Sequence, residues 1–239
     1  NLGNCLCKSG NFKQGVDAYN MALKINPHSA ETFNGIGVAL KNQGQINESI
    51  KAYRSAIAKN PKYATAFLNL GNVLYEQGKF EEAIWEYRNA IKLRPNYSEA
   101  FYYMGNSFLV EGELVKALSA YTKAIEIKPN YAQALNNMGA VLEQQAQFDE
   151  AREKYSKAIE VDPSYAEAFY NLSKLKTFKA EDPQILQLQK LHNKLKGTNK
   201  NYSNICFALA KVYEDLEDFG EAYKFYSEGN KIQKRLFFS

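Results

Sequence analysis

Histidine, tryptophan and cysteine are scarce in this chain of 239 residues: two, one and three of each. Neither His28, placed in a turn, nor His192, placed on an outer helix, has metal-ligand spacing to a cysteine or a second histidine. Cys5, Cys7 and Cys206 are an odd number, and Cys5 and Cys7 lie two apart on a helix, pointing to different sides. That excludes a disulfide framework and favours reduced thiols and a cytoplasmic location. No signal peptide and no apolar run of about eighteen residues occurs, so no membrane partner is expected. The net charge of +4 is weak, and its local alternation between acid-rich 132–165 and base-rich 166–202 reads as solvated helix faces, so no nucleic-acid partner is expected either. Glycine-rich phosphate loops and catalytic constellations are missing, which argues against an enzyme and calls for no cofactor. What is plentiful is apolar mass, with 45% hydrophobic and 13% aromatic residues, ample for a packed core.

That apolar mass is periodic. Pro27, Pro61, Pro95, Pro129 and Pro163 recur every 34 residues, and a fixed period of this length marks a repeat array. Asn1-Leu2-Gly3-Asn4 matches Asn69-Leu70-Gly71-Asn72, so the first unit, 1–29, reads as partial. Regular units follow at 30–63, 64–97, 98–131 and 132–165, and two divergent helix pairs at 166–202 and 203–239. Within 64–97, Phe67, Leu70, Gly71 and Leu74 give one helix an apolar face, and Phe80, Ala83, Ile84, Tyr87, Ala90 and Ile91 give a second. Gly78 separates the two, as Gly10, Gly44 and Gly112 do in their units, and Pro95 stops the second. Glycine inside a helix costs about 1 kcal/mol relative to alanine. Its recurrence at Gly37, Gly71, Gly105 and Gly139 therefore signals close helix approach, with Tyr53, Tyr87, Tyr121 and Tyr155 as the large partners.

Phe67, Leu70, Gly71, Ala83, Tyr87, Ala90 and Pro95, in this order and spacing, resemble the tetratricopeptide repeat. The resemblance covers 1–165 strongly and implies an all-α fold, an α-α superhelix of antiparallel helix pairs whose first helices line an inner groove. The last two pairs depart from it. Ser173 replaces the glycine, Lys176 stands at an apolar position, and Glu181-Asp182-Pro183 precedes a helix at about Gln184–Lys196. That helix has Leu186, Leu188, Leu191 and Leu195 on its apolar side and is ended by Gly197-Thr198-Asn199. The run through Asp182-Pro183 to Leu209–Leu216 also resembles the segment that joins repeats to a sulfotransferase domain in some bacterial proteins. This resemblance implies an alternative role, as the substrate-recruiting arm of a larger transferase.

The inner-face phases implied by the family carry Asn1, Asn69, Asn137 and Asn171 at one position and Asn4, Asn72 and Asn106 at another. Asparagine is a mediocre helix former, and its amide both donates and accepts, which suits the backbone of an extended peptide. With packed helices about 8–10 Å apart and a strand rising about 3.3 Å per residue, each rung would meet roughly every third peptide residue. The pattern resembles the inner face of the repeats in the O-linked N-acetylglucosamine transferase family, with Gly35 and Tyr103 as departures. Leu68, Tyr75, Tyr102, Tyr103, Leu109, Val110, Tyr170 and Phe178 project from the same phases. Lys41, Lys174 and Lys211 add scattered charge that does not match the basic clamp of chaperone-tail-binding repeats.

The expectation is a non-catalytic protein-interaction module that binds an extended peptide or protein segment in a groove centred on Asn69–Asn171. Leu68, Asn69, Asn72, Tyr75, Tyr102, Tyr103, Asn106, Asn137, Tyr170, Asn171 and Lys174 are the candidate binding residues, all taken as free of packing duty. Alanine at Asn69, Asn106 and Asn137 is accordingly expected to leave the melting temperature unchanged. Self-association through solenoid ends is the remaining partner expectation.

Overall fold

The computed structural model describes residues 2–195 and 200–237. Asn1, Lys196 and the stop Gly197-Thr198-Asn199 therefore lie outside the described residues. Fourteen helices occur among the described residues, and no strand. They are α1 Leu2–Lys8, α2 Phe12–Ile25, α3 Ala30–Asn42, α4 Ile46–Lys59, α5 Ala64–Glu76, α6 Phe80–Leu93, α7 Ser98–Val110 and α8 Leu114–Ile127. They continue with α9 Ala132–Gln144, α10 Phe148–Val161, α11 Ala166–Leu175, α12 Pro183–Leu195, α13 Lys200–Asp215 and α14 Phe219–Phe237. The chain divides into two compact units, Asn1–Ile127 and Lys128–Ser239.

In the first unit, α1–α2, α3–α4, α5–α6 and α7–α8 pack as successive pairs, and α2, α4 and α6 also pack on α3, α5 and α7. The close approach read from the glycines is realised at one contact per pair. A Cβ at Gly71 would stand 2.6 Å from Cε1 of Tyr87, inside van der Waals contact. Gly3, Gly37 and Gly105 meet Tyr19, Tyr53 and Tyr121 in the same way at 2.5–2.7 Å. The ring thus lies flat on the backbone of the facing helix, and Tyr53, Tyr87 and Tyr121 are almost wholly buried. Each pair turns through a residue in the left-handed region, which glycine adopts without steric cost. Gly78, at φ +74°, is one such residue.

In the second unit, α9 and α10 repeat this pairing, with Gly139 against Tyr155 at 2.7 Å. Ala146, at φ 58°, holds the turn that glycine holds elsewhere. The following helices differ. α11 packs on α10 and α13, α12 packs on α13, and α13 pairs with α14. Ser173 stands at the glycine phase of α11, a helix that packs on α13 and makes no regular pair with α12, whose Gln189 donates to Tyr213 of α13 at 3.2 Å. Ser173 is buried and donates to the Tyr170 carbonyl at 2.7 Å. Lys176 stands just past the end of α11, and its ammonium pairs with Asp182 at 2.5 Å. Asp182 also accepts from the Gln184 amide at 3.0 Å, so it caps α12, whose first residue is Pro183. The apolar side of α12 needs one correction. Leu188 and Leu191 are buried, whereas Leu186 is 56% exposed.

Candidate functional site

The candidate residues fall into both units. Leu68, Asn69, Asn72, Tyr75, Tyr102, Tyr103 and Asn106 belong to the first, and Asn137, Tyr170, Asn171 and Lys174 to the second.

In the first unit the asparagines have structural partners. The Asn72 carbonyl oxygen accepts from the Tyr87 hydroxyl at 2.9 Å, and that of Asn106 from Tyr121 at 2.7 Å. Tyr19 donates to Asn4 in the same manner. A buried hydroxyl without a partner costs about 1–3 kcal/mol, so an amide completes the tyrosine–glycine contact in three of the four pairs, whereas α3 carries Val38 at that position. Asn69 does something else. Its amide donates to Asn34 at 2.9 Å, linking α5 to α3. These are packing duties, and the expectation that alanine here leaves the melting temperature unchanged is corrected accordingly.

Leu68 is also corrected. It is 7% exposed and sits in the core with Phe67, Leu70 and Leu74. Tyr75, Tyr102 and Tyr103 are half-buried and lean on other rings. Tyr103 stacks on Tyr87 at 6.1 Å, Tyr102 meets Tyr103 edge-on at 5.1 Å, and Tyr75 meets Phe80 edge-on at 5.3 Å. Aromatic pairs of this geometry stabilise beyond the area they bury.

In the second unit Asn171 donates to Asn136 at 3.0 Å, repeating the Asn69–Asn34 link at the same spacing with the same residue types. Asn136 itself donates to Asn137 at 3.3 Å. Where the tyrosine-accepting asparagine is replaced by Ala140, Tyr155 donates instead to Glu143 at 2.7 Å. Glu143 in turn takes an ion pair from Lys174 at 3.0 Å. Tyr170 lies beneath the Lys174 ammonium at 5.5 Å and against Phe207 at 5.9 Å. Phe178 is buried and is no part of an exposed face. Lys41 and Lys211 are likewise paired, Lys41 with Glu76 at 2.6 Å and Lys211 with Asp215.

The open concavity on the first helices lies elsewhere in the first unit. A cavity of about 440 Å³ is lined by Asn4, Cys7, Lys8, Tyr19, Glu31, Asn34, Gly35, Val38 and Tyr63. Gly35 explains why it is there. A Cβ at Gly35 would stand 2.6 Å from Cζ of Tyr19, so this inner-face position must stay bare, while Tyr103 fills the equivalent one in α7. Burial, followed by the Cys7 side chain, pushes Tyr19 up to about 12, so its hydroxyl remains a neutral donor. The sequence reading treated Gly35 as a gap in a ladder, although the gap marks the open space. Asn34 was missed too, yet its signal was available: Asn34–Asn69 and Asn136–Asn171 share one spacing.

Repeat-family models decide the family. A model described as TPR repeat matches residues 39–78, 71–110, 105–146 and 144–175, and one described as tetratricopeptide repeat matches 203–235. The chain is a tetratricopeptide-repeat protein. Its fold class is the all-α superhelix of that family. No curated protein matches the sequence. Among solved structures, this tetratricopeptide-repeat chain is similar to MamA, with 29% identity over 70% of this chain and 98% of that one, at a TM-score of 0.62. It is also similar to PilF of Pseudomonas aeruginosa, with 21% identity, 95% and 94% coverage and a TM-score of 0.70. A third is YrrB, described as a TPR protein with an unusual peptide-binding site, with 20% identity, 87% and 97% coverage and a TM-score of 0.60. At that identity PilF and YrrB bear on the fold alone. Among the described residues no helix is long and apolar enough to cross a membrane.

Proposed function

We propose that this protein is a non-catalytic interaction module that grips an extended protein segment along the first helices of its first unit. The observation that carries the reading is the cavity at Asn4, Asn34, Gly35 and Val38. Its lining combines apolar Tyr19 and Val38, the amides of Asn4 and Asn34, and the charged Lys8 and Glu31, and its size suits one side chain of a bound segment. Asn4 and Asn34 keep spare hydrogen-bonding capacity, because an amide has two donors and two lone pairs. They can therefore meet peptide backbone while still holding Tyr19 and Asn69. A protein partner fits better than nucleic acid or a lipid surface, since Lys41, Lys174 and Lys211 are already neutralised by carboxylates. The three free thiols suit a reducing compartment, so we place the module in the cytoplasm.

The test uses peptides selected from a random displayed library against the purified chain. Val38 is half-exposed at the cavity wall. Val38→Arg is expected to weaken the selected peptides at least tenfold with little change in melting temperature. Val115→Arg, on an exposed position of α8, is expected to leave their affinity alone. Failure to select any peptide, or equal binding by Val38→Arg, overturns the reading.

A further inference from the structure

The second unit contains a cluster that neither the repeat fold nor the peptide groove uses. His192 of α12, Cys206 of α13 and Glu228 of α14 bring their Nε2, Sγ and carboxylate oxygen within 4.8 Å of one another. They lie far apart in sequence, and the packing of α12 on α13 and of α13 on α14 brings them together. Cys206 is fully buried, and the His192 side chain is only 16% exposed. The imidazole is fixed on both sides, stacked on Tyr202 at 4.9 Å and edge-on to Phe225 at 5.2 Å.

We propose that His192, Cys206 and Glu228 form a binding site for a single Zn²⁺ ion. The donor set is the first argument. One imidazole, one thiol and one carboxylate suit a borderline cation, whereas Ca²⁺ and Mg²⁺ demand all-oxygen ligands. Geometry is the second. Zinc bonds of about 2.0–2.3 Å at tetrahedral angles separate ligand atoms by roughly 3.3–3.6 Å. His192 Nε2 and Glu228 Oε2 already stand 3.4 Å apart. Side-chain rotation of Cys206 and Glu228 by an ångström or so completes the triangle. Three helices each supply one ligand, so the ion staples α12 to the α13–α14 pair. The Tyr202 hydroxyl, 2.8 Å from His192 Nε2 and donating to Glu228 at 2.6 Å, gives up its bond to Nε2 when the ion binds.

The protons balance simply. Tyr202 has one hydroxyl proton and gives it to Glu228, so the Tyr202 oxygen accepts from Nε2–H of His192 in the metal-free protein. On binding, that imidazole proton moves to Nδ1 through solvent and Nε2 takes the metal. Cys206 releases its thiol proton to solvent and binds as thiolate. No oxidation state changes.

Titration of the purified full chain with Co²⁺, followed by competition with Zn²⁺, tests the site. One equivalent of Co²⁺ is expected to give a thiolate-to-metal absorption band that Zn²⁺ abolishes, and Zn²⁺ is expected to raise the melting temperature. Glu228→Gln keeps the hydrogen bond to Tyr202 and its residue is partly exposed, so it should fold normally and bind at least tenfold more weakly. Cys206→Ser should lose the thiolate band. Replacing exposed Cys5 and half-buried Cys7 by serine should leave the band intact. The proposal is overturned if no stoichiometric band forms, if Glu228→Gln binds as the parent does, or if the band follows Cys5 and Cys7.

Discussion

The helices α5 and α6 pack on each other, whereas α11, at the phase of α5, packs on α10 and α13 and makes no such pair with α12. In α5–α6 a tyrosine lies on a glycine; α11 carries Ser173 at the glycine phase, buried and bonded to the Tyr170 carbonyl. The bare glycine goes with the regular pair and its tyrosine, and the serine with the helix that has left the pairing. The largest expected effect sharpens that contrast. Gly71→Ala places a methyl 2.6 Å from a fully buried ring. Overpacking of this kind costs about 1–3 kcal/mol, against a helix-propensity gain of about 1 kcal/mol. We expect a net loss of up to about 2 kcal/mol in urea unfolding. Ser173→Gly, which removes the hydroxyl bonded to the Tyr170 carbonyl, should cost only about 0.5–1 kcal/mol, the propensity difference plus one exchanged hydrogen bond. A stabilised Gly71→Ala protein would break the comparison.

The hydroxyl on the same ring gives the next effect. Asn72→Ala leaves the Tyr87 hydroxyl buried without its acceptor, which should cost about 1–2 kcal/mol. Tyr87→Phe alone should cost about 1 kcal/mol, and the double variant should be less harmful than the sum. A coupling of about 1 kcal/mol in the double-mutant cycle is the expected result. Strict additivity would mean that the amide serves the groove alone. In the terminal helices the tyrosine at this phase, Tyr226, donates to Glu214 at 3.3 Å, and a second hydroxyl, Tyr202, is held by an imidazole and a carboxylate.

A smaller effect separates the two units by pH. Glu86 on α6 is pushed up to about 7, chiefly by burial, with Glu82 adding to the rise and Asn89 and Arg54 opposing it. Its Oε2 is buried and makes no hydrogen bond. The folded value lies above the unfolded 4.5, so the folded chain holds this proton more tightly. Stability is then lost as pH rises from about 4.5 through about 7. The group keeps some solvent contact, so screening reduces the effect to about 1 kcal/mol. Glu86→Gln should equal the parent near pH 4.5 and exceed it by about that amount at pH 8.5, read from urea midpoints. An equal difference at both pH values would remove Glu86 as the cause.

The solenoid was legible because its determinants repeat. Each Gly–Tyr contact and each proline stop appears several times at one phase, so a single misreading could not hide the pattern. The site was less legible for the same reason. Asn72 and Asn106 recur on the inner face, but recurrence reported their bond to Tyr87 and Tyr121 as well as their exposure. Phase alone cannot separate an amide that faces a ligand from one that caps a buried hydroxyl. Leu68 shows the limit again, since its phase is that of the inner face and its surroundings are core. His192, Cys206 and Glu228 share no period at all, and only the departure of α12 from the repeat brings them together.

The turns between paired helices offer the smallest test of the difference between units. Gly112 joins α7 to α8 at φ +75°, whereas Ala146 joins α9 to α10 at φ 58°. Both make the same backbone bonds: the amide of each residue reaches the carbonyl three residues back, and the next residue's amide reaches the carbonyl five back. Only the Cβ distinguishes them, and in the left-handed region it crowds the following carbonyl at about 1–2 kcal/mol per residue. Glycine removes that strain but has more freedom to lose on folding, which returns part of the gain. Ala146→Gly should therefore stabilise the chain by about 0.5–1 kcal/mol, and Gly112→Ala should destabilise it by a similar amount. No heavy atom lies within 4 Å of a Cβ built at Gly112, so its loss would report backbone strain alone. Opposite signs at the two positions, measured by thermal unfolding, are the expected outcome. The same sign at both would show that the turn residue is set by neighbouring packing and not by φ.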